Sequence, residues 1–488
     1  MKLHWRSLFE QLRTSYWLVP AAMSFAAFLA ALFTLTVDRL VDWQASLIPF
    51  LYGGSPEGAR LLLATLAGAK ITVAGVLFSV TIVVLSLASQ QFGPRLLRSF
   101  MSDRGSQVVL GAFLSGFLYD LLILSQVYEF EMWATPVPRF SVTLALVMAV
   151  FDFALLIYFV HHMASLVRAE TILGRVARQL DREIERLYPE QLGQDPEPPL
   201  GRGASMPVDF LQRARPVHPL REGYIDMVDA AGLMDLAQEH DLLLRLPQRP
   251  GDFVFEDMPV VQAYPPERVD DNLAEAIARC VAISDLRTPT QDVEFPIHQL
   301  VEVACRALSP SMNDPFTAVT CVDRLGAAMA KLMRRRFPSP LRYHQDEHRL
   351  RVVAKTATFN GAMDAAFDMI RQSAHDSVGV SIRLLDVLRL LAQRAWRLED
   401  YMSVLEHARK VQHEILATDL VEPDRDDVRS RYHSIVRQIK NGRSGDDRIW
   451  KSPGGGQGPE GIDAPKAGRS PRCGRPETPG EEGSPHPA

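Results

Sequence analysis

The sequence predicts a mainly α protein: a four-helix transmembrane bundle followed by a small β unit and a helical cytoplasmic domain, with a disordered C-terminal tail. Three observations predict it. Apolar runs at 17–37, 59–89, 108–127 and 140–166 each reach the ~20 residues needed to cross a ~30 Å hydrocarbon core. Short alternating runs with turn signals fill 216–265, and a helical period runs through 266–440. From 441 to 488 the chain is dominated by Gly, Pro, Ser and charge, which cannot bury enough apolar surface to offset the entropy of ordering.

The apolar runs must be helices, because a backbone in lipid has to satisfy its own hydrogen bonds and barrel strands would be shorter and alternating. Basic residues set the orientation. Lys2, Arg6 and Arg13 precede the first span, Arg95, Arg98 and Arg104 lie between the second and third, and Arg168, Arg175 and Arg178 follow the fourth. The other two loops lean acidic, so both termini and the soluble part are expected in the cytoplasm, on the inner face of a bacterial plasma membrane. Trp43, Tyr52, Tyr128 and Trp133 suit the outer headgroup layer. The first run is too long for a signal-peptide core and reads as an uncleaved anchor.

After the bundle, 169–188 carries Leu173, Val176, Leu180 and Ile184 at helical spacing and reads as a continuation of the last membrane helix. Residues 189–215 are a Pro- and Gly-rich linker. In the β unit, strands are expected at 223–228, 242–246, 253–255 and 260–263. No Lys lies between Gly223 and Tyr264, so the unit cannot be a biotinyl or lipoyl carrier. Helices follow at 267–284, 294–308, 315–334, 359–374, 377–396, 401–417 and 424–439, with one short strand at 349–355.

The formal charge of −5 is mild, and no basic stripe points to nucleic acid. Cys280, Cys305, Cys321 and Cys473 form no CxxC and no Cys/His metal spacing, so reduced thiols, no metal and no cofactor are expected. No nucleotide-cradling Gly loop, HExxH or GxSxG occurs, which lowers the case for an enzyme.

Three features stand out. In the second span Thr65, Thr72, Ser79 and Ser86 recur every seven residues, interleaved with Gly68 and Gly75. Such a face either packs helices closely or lines a polar path. Lys70 lies on nearly the opposite side of that helix, at a depth where an ammonium needs a partner. Asp120 is the best-placed carboxylate, with Gly116 allowing close approach, and Asp152 is the alternative; the pair either fixes helix register or handles ions. The third feature is ALSPSMNDPFTAVTC, 307–321, where Asn313 or Asp314 caps a helix that has Pro315 at its first position. The alternative there is an anion site joined by Arg287 and Thr288, or a polar cluster of Arg287, Asp292, Asn313 and Asp314.

The phrases AGAKITVAGVLFSVTIVVLSLASQQFGPRLLRSFMSDRGSQVVLGAFLSGFLYDLLIL, LLIYFVHHMASLV, REGYIDMVD, RPGDFVFEDMPV and RTPTQDVEFPIHQLVEVACRALSPSMNDPFTAVTCVDRLGAA, in that order, resemble the bacterial family of predicted membrane proteins known as domain of unknown function 2254. The resemblance implies an integral membrane location and supplies no activity, ligand or catalytic residue. Where this chain has Lys70, the family's segment usually carries an uncharged residue, as in GSMITVAG, so an ion pair there would be particular to this chain.

The function expected from these features is non-enzymatic transport or ion conduction with a regulatory cytoplasmic domain. The alternative is a membrane-anchored sensor or scaffold whose soluble domain binds a ligand or protein. The bilayer is the expected partner, with a homo-oligomer fitting because four spans enclose little space; an enzyme at the lipid surface ranks last.

Overall fold

A computed structural model describes residues 16–41, 51–93, 95, 103–132, 137–166, 168–188, 206–343 and 349–444. The expected features at Lys2, Arg6, Arg13, Trp43, Arg98, Trp133 and Cys473, most of the linker and nearly all of the tail lie outside these residues.

Four helices are long and apolar enough to cross a membrane: α1 (Leu18–Leu40), α2 (Pro56–Phe92), α3 (Arg104–Met132) and α4 (Arg139–Leu166). Ser55 starts α2 by accepting from the Gly58 N–H, with Pro56 at the first position. Large apolar side chains such as Phe33, Val76, Val150 and Phe153 point outward, as lipid allows and water would not. Inside, α3 packs against the other three. Gly111 allows a close approach to α1: a Cβ there would lie 2.6 Å from Met23 Sδ and 3.2 Å from the Pro20 backbone.

The bundle core is two apolar clusters. One holds Ala31, Leu63, Ile123 and Val142, the other Ala74, Leu77, Phe113 and Phe159. Near the first, Tyr119 Oη lies 3.0 Å from Thr34 Oγ1 and donates to the Ser141 carbonyl at 3.2 Å. Asp38, near the end of α1, caps the start of α4: its carboxylate accepts from the N–H groups of Phe140 and Ser141 at 3.0 and 2.9 Å and from the Ser141 hydroxyl at 2.6 Å.

Helix α5 (Ala169–Leu187) does not continue α4. Arg168 has extended backbone, φ −70 and ψ 124, so α5 begins anew. Its buried face, with Leu173, Val176, Leu180 and Ile184, is the one the helical spacing predicts.

The β unit is larger than 216–265 and is not contiguous in sequence. After a short α6 (Phe210–Arg213) come β1 (Arg215–Val217), β2 (Gly223–Val228), α7 (Ala230–Glu239), β3 (Leu243–Leu246), β4 (Phe253–Val254), β5 (Val261–Tyr264), α8 (Asp271–Arg279) and β6 (Val281–Ser284). The stretch 267–284, expected as one helix, is therefore a helix and a strand: Val281 and Ile283 pair with β2, and that pairing overrides a helical continuation. Two later strands, β7 (Leu341–Tyr343) and β8 (Leu350–Ala354), complete a five-stranded sheet of order β1-β5-β3-β8-β7; β4-β2-β6 form a second. All pairs are antiparallel except β3 with β8.

The helical layer comprises α9 (Glu294–Ala307), α10 (Pro315–Leu332), α11 (Phe359–Ser373), α12 (Val378–Ala392), α13 (Leu398–Leu416) and α14 (Glu422–Ser444). Its core includes Leu300, Val322, Phe367 and Leu388, and takes in the α5 face together with Ala88 and Phe92 from the end of α2.

Asp38→Ala removes three hydrogen bonds from a buried helix start. It is expected to destabilise the chain by about 1–3 kcal/mol, seen as a lower midpoint for thermal unfolding in detergent; an unchanged midpoint would mean the cap is dispensable.

Candidate functional site

The second helix places Lys70 on the inward face of the bundle, and the structure brings both candidate carboxylates to it. Lys70 Nζ lies 3.0 Å from Asp120 Oδ2 and 3.3 Å from Asp152 Oδ2. All three residues are buried, with 4% of Lys70, none of Asp120 and 4% of Asp152 exposed. The contacts are ion pairs by distance but lack hydrogen-bond alignment, and Nζ, both Asp120 oxygens and Asp152 Oδ2 gain no hydrogen bond among the described residues. Gly116 makes the room: a Cβ there would lie 2.8 Å from Lys70 Nζ and 3.2 Å from Asp152 Oδ2. One ammonium faces two carboxylates, a formal excess of one negative charge in a layer between the two apolar clusters. Such a layer is expensive in a membrane and is a functional-site hypothesis by default.

The small-residue face is elsewhere. Thr65, Thr72, Ser79 and Ser86 are all exposed on the outside of the bundle, and nothing lies within 4 Å of a Cβ added at Gly68 or Gly75. Among the described residues the face therefore neither packs against another helix nor lines a path inside the bundle. The Thr65 and Thr72 hydroxyls donate to their own helix, at the Leu61 and Gly68 carbonyls, each at 2.7 Å. At the other end of the bundle His162 Nε2 meets Asp103 Oδ2 at 2.7 Å while His161 is exposed, so the two adjacent histidines face different ways.

The expected polar cluster divides. Arg287 Nε donates to Asp292 Oδ2 at 2.5 Å, and its Nη2 lies 3.6 Å from Glu294 Oε2. Asn313 and Asp314 share no contact with these residues among those described. They form the capped turn instead: Asn313 takes φ +44, and Asp314 accepts from the Thr317 N–H at 3.1 Å and the Thr317 hydroxyl at 2.6 Å. Those bonds hold the Asp314 carboxyl below its usual range. Thr288, the other residue expected at an anion site, bonds to Asp226 of β2. The capping reading of SMNDP is the one the structure shows.

Arg287 and Asp292 belong to a network at the edge of a cavity of about 360 Å³. The cavity lies where the end of α5, the β unit and the start of α9 meet, with Leu187 and Tyr188, Leu233 and Leu246, and Val293 and Glu294 in its wall. Arg249 Nη2 holds Glu294 Oε1 at 2.7 Å, and Lys355 Nζ holds Asp252 Oδ2 at 3.1 Å. Gly251, at φ +92, carries the turn; a Cβ there would collide with the Asp292 carboxylate. Burial, with Glu294 beside it, pushes the Tyr188 phenol well above its usual value, so it stays a neutral donor. Near the same network, His298 is pushed down to about 4 by burial and by Arg287 and Arg95, and is uncharged at neutral pH. Residues so far apart in sequence meet only through the fold; Pro250-Gly251-Asp252 and the charges at 287–294 were the visible traces.

A model of the family described as "Predicted membrane protein (DUF2254)" matches residues 13–390. The chain belongs to that family. Uncharacterised proteins of Mycobacterium bovis and of two Mycobacterium tuberculosis strains are each 32% identical to it over 299 residues. The aligned part covers 60% of this chain and 56% of each relative, so it spans little more than half the relatives' length. No solved structure matches this family member.

Lys70→Ala leaves two buried carboxylates without a cation and is expected to destabilise the protein by about 3–5 kcal/mol. Asp152→Asn restores a one-to-one balance and should be far milder. Thermal unfolding of the two variants side by side checks this; equal losses would show that charge balance is not what holds the layer.

Proposed function

We propose that the protein is a non-enzymatic transport-type membrane protein in which the Lys70–Asp120–Asp152 layer handles a proton or small cation and the extramembrane part regulates it. The observation that carries the reading is the unequal charge of the buried triad: two carboxylates against one ammonium leave an acceptor whose occupation by a proton or cation would neutralise the layer. Helix α2 supports the regulatory half, because it carries Lys70 at one level and packs Ala88 and Phe92 into the helical core at another. Since the face at Thr65, Thr72, Ser79 and Ser86 looks outward, a hydrated path along it would run between copies, which favours a homo-oligomer meeting there.

The test is solute flux through proteoliposomes holding the purified chain, driven by proton, sodium or potassium gradients. Flux that Asp120→Asn and Asp152→Asn abolish or alter at least severalfold is expected, with a Ser79→Cys form cross-linking copies on oxidation. No flux from folded protein would overturn the reading in favour of the second.

That second reading is a membrane-anchored sensor, favoured by the cavity between α5, the β unit and α9. Its wall joins apolar side chains to the cations Arg249, Arg342 and Lys355 and the carboxylates Asp292 and Glu294, which suits a small amphipathic molecule with a polar end.

By the excess of Arg between the second and third spans and after the fourth, the proposed site is a bacterial inner membrane, with the extramembrane part in the cytoplasm. A green-fluorescent-protein fusion at the C-terminus should fluoresce in cells; a dark but inserted fusion would reverse the orientation.

A further inference from the structure

Away from the bundle and the cavity, α11 and α13 pack side by side and bring a distant histidine to a pair of carboxylates. Asp364 and Asp368 stand four apart on α11, hence on one face, and His407 faces them from α13. His407 is 1% exposed, and neither ring nitrogen makes a hydrogen bond among the described residues. A buried imidazole in that condition is costly. Its nitrogens nevertheless lie beside the carboxylates: Nε2 is 3.2 Å from Asp364 Oδ1, and Nδ1 is 3.8 Å from Asp368 Oδ1, without hydrogen-bond alignment. One donor atom from each of the three residues falls within 4.8 Å of the others. Two donors bound to one ion at ~2.1 Å stand about 3.0–3.4 Å apart, so the Asp364–His407 spacing is already that of two ligands.

We propose that Asp364, Asp368 and His407 bind a divalent transition-metal ion such as Zn2+, Co2+ or Mn2+. One imidazole nitrogen with two carboxylate oxygens is a donor set for borderline ions of this kind. Phe367 packs edge-on against the ring with centroids 6.2 Å apart and helps to fix its direction. Asp364 and Asp368 are partly exposed, which gives an ion a route from solvent and leaves positions for water.

Lys410 and Arg371 compete for the same carboxylates. Lys410 Nζ lies 3.8 and 3.7 Å from the Asp364 and Asp368 oxygens, but it has a closer partner in Glu406 at 3.0 Å. Arg371 Nη2 also reaches Asp368 Oδ1 at 3.3 Å and pairs with Glu414 on its other side. Both cations can therefore yield the carboxylates and keep a counter-ion. A metal ion and Lys410 are alternatives at this site, and that gives the test its sign.

The full-length protein, in detergent, without a polyhistidine tag and stripped with chelator, is titrated with Co2+ followed by its visible absorption and with Zn2+ by calorimetry. One ion per chain is expected, weakened at least about tenfold by Asp364→Asn or His407→Gln. Lys410→Met, which removes the competing charge, should bind about tenfold more tightly. If His407→Gln does not fold, the partly exposed Asp364 carries the comparison. No binding, binding that Asp364→Asn leaves unchanged, or no gain from Lys410→Met would overturn the proposal and leave a histidine–carboxylate contact.

Discussion

One helix is longer than a membrane is thick, and much of the structure depends on that. The 37 residues of α2 extend roughly 55 Å at 1.5 Å per residue, against a hydrocarbon core of about 30 Å. The excess has to emerge, and it emerges into protein: Ala88 and Phe92 join the core built by α5, α9 and α10, while the Gln90 carbonyl accepts from Arg306 at 3.3 Å. The helix runs unbroken from the bundle into the helical layer. The break at Arg168 is the contrast, since α5 joins the same core only after an extended residue.

The same helix presents two unlike faces to two unlike surroundings. Its inner face carries Lys70 between two carboxylates, a charged layer that divides the bundle core into an apolar cluster above and below. Its outer face carries hydroxyls that are satisfied by their own backbone at Thr65 and Thr72 and so need no water. On this helix Lys70 is thus met by ionic partners inside the bundle, while Thr65 and Thr72 are closed on their own backbone outside. Only the first stores a charge imbalance, which is why the proposed chemistry belongs there.

The extramembrane part is assembled from chain segments that cross between units. Strand β8 comes from between two long helices, α10 and α11, yet pairs in parallel with β3, so the β unit cannot be completed without the helical layer. The cavity at their junction inherits walls from α5, the β unit and α9 together. Its wall thus includes Leu187 and Tyr188, at the end of the helix that follows the bundle.

Local pattern was enough for several of these elements. Apolar run length announced the four spans, helical spacing the buried face of α5, and SMNDP the cap of α10, because each depends on neighbours within a few residues. The partnership of Lys70 with Asp120 followed from depth alone, since spans in a bilayer share a common frame. Other features depended on contacts distant in sequence. Pairing with β2 turned 281–284 from helix to strand, and the rotation of α2 in the bundle sent its hydroxyl face outward rather than into a path. The separation of Asn313 and Asp314 from Arg287, and the meeting of Asp364, Asp368 and His407, were likewise decided by packing. Residue type and spacing constrain what a segment can do by itself. Which side chains face one another across 40 or 200 residues is settled only when the helices and sheets have closed around their shared cores.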